Sequence, residues 1–220
     1  MPALTSAEVR ATFLDTAEVA CSVLALPEVA ERWEQPSALR LLLVRGLAGH
    51  LLRGAGTVDV YLDRPEPSGA EPISAAAYYA RALPALAEDI SSAPIHAAIR
   101  ERGEEQAAGG PERLAAEGAA ICLRLRERLG AEPEERLVSV YQGTVIRLDE
   151  YLVTRLIELT LHVHDLCISV GVPTPELPEA ARAAAIDTLV EVARQRHGDV
   201  AVLDALARRE RDRIAALRVM

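Results

Sequence analysis

The sequence contains no lysine. All 24 of its basic residues are arginine, against 33 acidic ones, for a formal net charge of −9. That surplus speaks against nucleic acid or an anionic membrane as partner, since both would repel it. The exclusive use of arginine reads as coding bias from a GC-rich genome. Aromatic residues make up only 3% of the chain, although half of all residues are hydrophobic. The core must therefore be built of leucine, alanine, valine and isoleucine, a mixture that favours helices. No uninterrupted apolar run approaches the ~20 residues of a membrane span. The N-terminal MPALTSAEVR has neither the basic nor the apolar region of a signal peptide, so a cytoplasmic protein is expected. Cysteine is limited to Cys21, Cys122 and Cys167, far apart in the chain and each inside a helical apolar pattern. An odd number so placed predicts buried, reduced thiols. Phosphate-binding glycine loops, CxxC pairs, HExxH and GxSxG are all missing.

What is present is a succession of helical patterns. Thr5-Ser-Ala-Glu8 has the form of a capping box, opening a helix to about Leu26 that Pro27 stops. Trp33, the lone tryptophan, reads as a lid over the core. A second helix is expected from Ser37 to about Leu62, with Gly46 and Gly49 small enough to let another helix come close. Asp63 to Pro72 reads as a loop. Ser74 to about Ile90 reads as a helix that Pro84 kinks or splits. Pro94 to Ala108 is helical but charged, and is expected at the periphery. After Gly109-Gly110-Pro111, a helix runs from Glu112 to Leu129. The β-branched residues of LVSVYQGTVIRL, around Gln142-Gly143, predict a short extended pair. Beyond Pro173 two charged amphipathic helices follow, about Glu179–Arg196 and Val200–Leu217. Residues 1–172 thus read as one helical bundle and 173–220 as a helical extension.

The longest pattern, LDEYLVTRLIELTLHVHDLCISVG from Leu148 to Gly171, is apolar on nearly every side, as a helix buried all round would be, with Asp149 as its N-cap. One stripe of it is polar. At about 100° per residue, Tyr151, Thr154 or Arg155, Glu158, His162 and Asp165 share an edge. A carboxylate four residues before an imidazole, facing leucine and valine, is costly unless something is bound there. A divalent metal is one answer, and two imidazoles with one carboxylate form a common catalytic zinc set. A buried salt bridge from Glu158 to Arg155 or Arg45 is the other. His50, on an apolar stripe with Leu43, Leu47 and Leu51, could be a third ligand or a core histidine bonded to backbone. Asp165 could orient a ligand histidine. His164 points away from His162, and His96 and His197 sit in charged, solvated surroundings.

The stretches GLAGHLLRG around His50 and RLDEYLVTRLIELTLHVHDLCISVG around Glu158 and His162 resemble the N-terminal domain of mycothiol-dependent maleylpyruvate isomerases. That group belongs to the DinB-like superfamily of metal-binding four-helix bundles, and PISAAAYYARAL resembles its third helix. The resemblance, over about residues 5–171, implies an all-α, up-down four-helix bundle with a long crossover. It also implies zinc or another divalent metal on His50, Glu158 and His162; Asp165, Arg155 and Tyr151, by their place on the same stripe, could support those ligands. Mycothiol would be the co-substrate of a transferase or isomerase acting on a small electrophile, in an actinobacterial monomer or homodimer. The chain departs from its relatives in two places. Full isomerases carry a mixed α/β domain after the bundle, and many relatives place a tryptophan before the second helix. Maleylpyruvate is therefore not implied as the substrate. A metal-dependent hydrolase using an activated water, or a metal-stabilised bundle that binds a ligand or partner without catalysis, are the alternatives.

Overall fold

A computed structural model describes residues 4–83, 91, 93–211, 214–217 and 219. Thr5 caps α1 (Ser6–Leu24), its hydroxyl accepting from the Glu8 N–H while the Glu8 carboxylate accepts from the Thr5 N–H. Pro27 opens the short α2 (Pro27–Glu31), and α3 spans Val44–Leu62. The expected start of that second long helix at Ser37 is not realised. The Ser37 hydroxyl accepts from the Leu39 N–H, Leu41 takes a left-handed φ of 69°, and Pro36 pairs with Leu43 across the turn. A serine that closes a local turn competes with helix, and α3 begins after it.

Ser74 caps α4 (Ala75–Ala77), which widens into a π-helical turn at Tyr78–Ala82. The expected kink at Pro84 and the rest of that helix to Ile90 lie outside the described residues. Next come α5 (Pro94–Ala107) and α6 (Pro111–Ala131). The hairpin follows as expected: β1 (Leu137–Ser139) pairs antiparallel with β2 (Val145–Arg147), Leu137 opposite Arg147. Its turn uses Gln142 and Gly143, both at positive φ. The chain then enters α7 (Leu148–Val170), closed by Gly171 at a left-handed φ of 74°. It ends in α8 (Glu179–His197), α9 (Asp199–Ala207) and short 3-10 turns. The second C-terminal helix is thus shorter than its pattern suggested.

The architecture is an all-α, up-down four-helix bundle of the DinB-like type, with a long crossover and a short helical C-terminal extension. Helices α1, α3, α6 and α7 pack side by side around Phe13, Leu47, Leu51, Leu125, Leu152 and Leu156, all fully buried. PISAAAYYARAL forms α4 and the π turn, which lie against α8. Trp33 is half-buried against the core. Asp149 does not cap α7. It binds the Arg10 guanidinium at 2.9 Å, and Arg10 also donates to the carbonyls of Leu129, Glu132 and Pro133, tying α1 to the end of α6 and the start of α7. Nor is α7 buried all round, since Leu161, His164 and Ile168 form an exposed edge.

The charged helix α5 is not peripheral. It packs directly on α3, backbone against backbone. A Cβ on Gly49 would stand 2.0 Å from the Gly103 carbonyl oxygen, and one on Gly103 would stand 2.5 Å from that of Gly46. Neither helix could approach so closely with side chains between them. Gly49→Ala should therefore destabilise the protein by about 1–3 kcal/mol, because backbone must move to admit one methyl. Gly130→Ala, in a helical position with open space around it, should be neutral or stabilising by up to about 1 kcal/mol. Urea denaturation of the two variants checks this; equal effects would mean that α3 and α5 separate freely.

Candidate metal centre

Two helix packings converge on His50. Gly46 and Gly49 bring α5 against α3, and one turn further on Gly54 admits α7, where an added Cβ would stand 2.9 Å from Leu159. His50 lies between these contacts, and across from it α7 presents Glu158 and His162 one turn apart. The two Nε2 atoms are 3.1 Å from each other, and each lies 3.4 Å from Glu158 Oε2. Among the described residues these three form a cluster able to hold a metal ion, with all donor atoms within 4.8 Å of one another. The alternative ion pair with Arg45 is not formed, because Arg45 binds Glu34 and Glu104.

The surrounding groups leave those donors pointing inward. His162 Nδ1 lies 3.0 Å from Asp165 Oδ2, which keeps a proton on Nδ1 and leaves Nε2 as the donor side. The Tyr79 hydroxyl, from the π turn, lies 2.9 Å from Glu158 Oε1 and 3.1 Å from the Thr154 carbonyl. One Glu158 oxygen is thereby held while the other faces the imidazoles. Arg155 stacks over the Tyr151 ring at 4.9 Å, and Tyr151 in turn hydrogen-bonds Thr57 on α3. The donor set therefore suits a divalent cation on chemical grounds. It offers two imidazole nitrogens and one carboxylate oxygen, with His162 and Glu158 each oriented from behind.

The same arrangement sets the charges. Burial alone would raise the pKa of Glu158, but hydrogen bonds from His162 and His50 and the charge of Arg155 hold it well below the usual carboxylate range. Burial presses His162 down, yet Asp165 and Glu158 raise it to about 9. His50 is lowered, chiefly by burial. With no metal bound, His162 is thus the protonated member and His50 the neutral one. A metal ion taking Nε2 of His162 would displace the proton there.

A cavity of about 360 Å³ opens onto the cluster. Its wall carries Arg53, Arg100, Arg102 and Arg155, while Glu158 is the only carboxylate among the described lining residues. Burial and the like charge of Arg102 lower the pKa of Arg53. In a chain of net charge −9, this hollow is locally positive. Leu42, Ile95 and Ile99 supply apolar wall. His96, expected in solvent, also lines the cavity, and its Nε2 is buried with no hydrogen-bond partner among the described residues. Sequence reasoning passed over Arg53, Tyr79, His96 and Arg102. For Arg53 a signal existed, because it follows His50 by about one helical turn and so shares its face. Tyr79, His96 and Arg102 belong to other segments, and no spacing links those to the Glu158 stripe.

The family profile of the mycothiol maleylpyruvate isomerase N-terminal domain matches residues 16–167. The chain belongs to that family. The matched span includes His50, Glu158 and His162 and stops before α8. No curated protein and no solved structure matches the chain. No helix among the described residues is long and apolar enough to cross a membrane.

For the metal-free protein the raised pKa of His162 has a definite sign. The stability it contributes is complete below its unfolded value, near 6.5, and is lost as pH rises through about 9. Urea midpoints of chelator-treated protein should fall between about pH 7 and about pH 9, and Asp165→Asn should flatten that fall. A midpoint that rose across this window would mean that His162 folds as the neutral base.

Proposed function

We propose that this chain is a metal-dependent enzyme that uses a low-molecular-weight thiol, mycothiol, in a transfer or isomerisation of a small electrophile. The observation that carries this reading is a cavity that opens onto His50, Glu158 and His162. The family's name supports the rest, since it links such a domain to mycothiol and to maleylpyruvate isomerisation. Two nitrogens and one carboxylate are a ligand set that leaves room for substrate. A divalent ion such as zinc, held there, would supply the positive charge that keeps a thiol ionised near neutral pH.

The chain's own residues divide the remaining work. Asp165 keeps a His162 proton on Nδ1, away from the donor side. Tyr79 holds Glu158 Oε1, so that Oε2 keeps its direction. Arg53 and Arg102 line the space where the electrophile would lie and suit a carboxylate on it. Leu42, Ile95 and Ile99 give that space an apolar wall that excludes water. A cavity at the cluster favours catalysis over a purely structural metal, whose site would be closed.

Elemental analysis tests the ligand set. Protein purified without chelator should carry about one divalent ion per chain, lost in His50→Ala and Glu158→Ala. Asp165→Asn and Tyr79→Phe should bind it about 10–100-fold more weakly. An intact fold that takes up no metal on titration would end the proposal. Cobalt-substituted protein then reports the thiol: mycothiol should add a sulfur-to-metal charge-transfer band, and glutathione much less. If neither thiol alters the spectrum while acetate does, hydrolysis becomes the better reading.

A further inference from the structure

The three cysteines are not equivalent in space. Cys21 lies near the end of α1 and Cys122 in the middle of α6, 101 positions apart, yet their sulfur atoms are 3.0 Å from each other. That is closer than unbonded sulfurs normally rest, and about 1 Å beyond the length of a disulfide bond. The local sequence makes the approach feasible. Gly118, one turn before Cys122, carries no side chain, and a Cβ there would stand 3.1 Å from Cys21 Sγ. One turn to the other side of the sulfurs, Arg126 of α6 pairs at the surface with Glu18 of α1, in the same register. Cys21 gives solvent access to the pair. Against the expectation of three buried thiols, Cys21 is partly exposed, whereas Cys122, with 7% of its surface left and its sulfur against that of Cys21, and Cys167, fully buried on α7, are buried as expected.

We propose that Cys21 and Cys122 are a redox-active dithiol that a peroxide converts into a reversible disulfide, stapling α1 to α6. Either sulfur can donate to the other across 3.0 Å; with the Cys21 S–H as donor, Cys122 is held below the ordinary thiol range, and in that arrangement Cys122 supplies the attacking thiolate. Its sulfur takes the near oxygen of hydrogen peroxide, the O–O bond breaks, and the departing hydroxide becomes water with one proton. Cys122 is left as a sulfenic acid. The Cys21 sulfur then attacks Cys122, the S–S bond forms, the S–O bond breaks, and the Cys21 proton leaves with the hydroxyl as a second water. Two thiols and one peroxide give one disulfide and two waters, the two electrons passing from sulfur to oxygen. Dithiothreitol or another dithiol reverses the step by exchange.

The position of the link gives it a consequence. α1 packs against α7, which bears Glu158 and His162, and α6 packs against α3, which bears His50. A bond between α1 and α6 therefore closes a large loop around the scaffold that holds the candidate centre together. Long loops of this kind restrict the unfolded chain most strongly.

The experiment uses the intact chain. It is exposed to hydrogen peroxide, denatured, alkylated with N-ethylmaleimide and weighed by mass spectrometry, with a peptide digest to locate any cross-link. The expected product carries a single alkyl group, on Cys167, and yields a linked Cys21–Cys122 peptide pair. Its melting temperature should exceed that of the reduced protein by roughly 5–15 °C and return on adding dithiothreitol. Cys21→Ser and Cys122→Ser should each lose both the cross-link and the shift, while Cys167→Ser keeps them. Three alkylated cysteines after peroxide treatment, a sulfinic acid at Cys122 without a link, or a link through Cys167 would each overturn the proposal. A Cys21–Cys122 link that left the melting temperature unchanged would overturn its role as a staple.

Discussion

Ionised groups taken out of water cost several kcal/mol each after the surroundings relax, and Glu158 is such a group. Its side chain keeps only 13% of its surface, with two imidazoles against the carboxylate, and the charge is held there by the arrangement of its contacts. Tyr79 holds one oxygen, the imidazoles share the other, and Arg155 supplies a charge nearby. Those requirements propagate outward. His50 can reach Glu158 only if α3 and α7 come close, which Gly54 permits, and α5 is admitted on the other flank only by Gly46, Gly49 and Gly103. Small residues on α3 are thus part of the site, although they carry no group that could react.

The cavity extends the same balance of charges. Four guanidiniums around one carboxylate would repel one another in a dry site, and the lowered pKa of Arg53 reflects that repulsion in addition to its burial. Tyrosine rings take up part of it: Arg155 lies over Tyr151 at 4.9 Å and Arg102 over Tyr141 at 5.9 Å. A scarce residue class is concentrated here. All five tyrosines of the chain line this one cavity, among them Tyr79, which orients Glu158.

Periodicity made the framework readable in advance. The capping box at Thr5, the β-branched run around Gln142-Gly143 and the stripe Glu158–His162–Asp165 each depend on spacing within a single element, and each reappears in space. The small residues at Gly46 and Gly49 announced a close neighbour without naming it. What failed was of two kinds. Residue type suggests a helix start at Ser37 and a cap at Asp149, but their side chains find other partners, a local turn and Arg10. Tyr79, Arg102, His96 and the Cys21–Cys122 contact depend on which surfaces meet after folding, and residues of distant segments carry no shared period. α5 shows the limit well: its charge pattern suggested the periphery, while two glycine backbones placed it against α3.

The long cationic side chains that line the cavity are arginines, and this bears on what the wall itself can do. A lysine amine so placed could condense with a carbonyl or add to an activated double bond, diverting the molecule it was meant to hold. A guanidinium stays protonated at any pH the fold survives and is a poor nucleophile. None of the three cysteines lines the cavity either. In the proposed reaction, an electrophile held there would meet hydrogen-bond donors and positive charge, with no lysine or cysteine of the chain to capture it. The attacking sulfur would then come from outside, and self-inactivation by a slow or wrong substrate would be disfavoured by the composition of the wall.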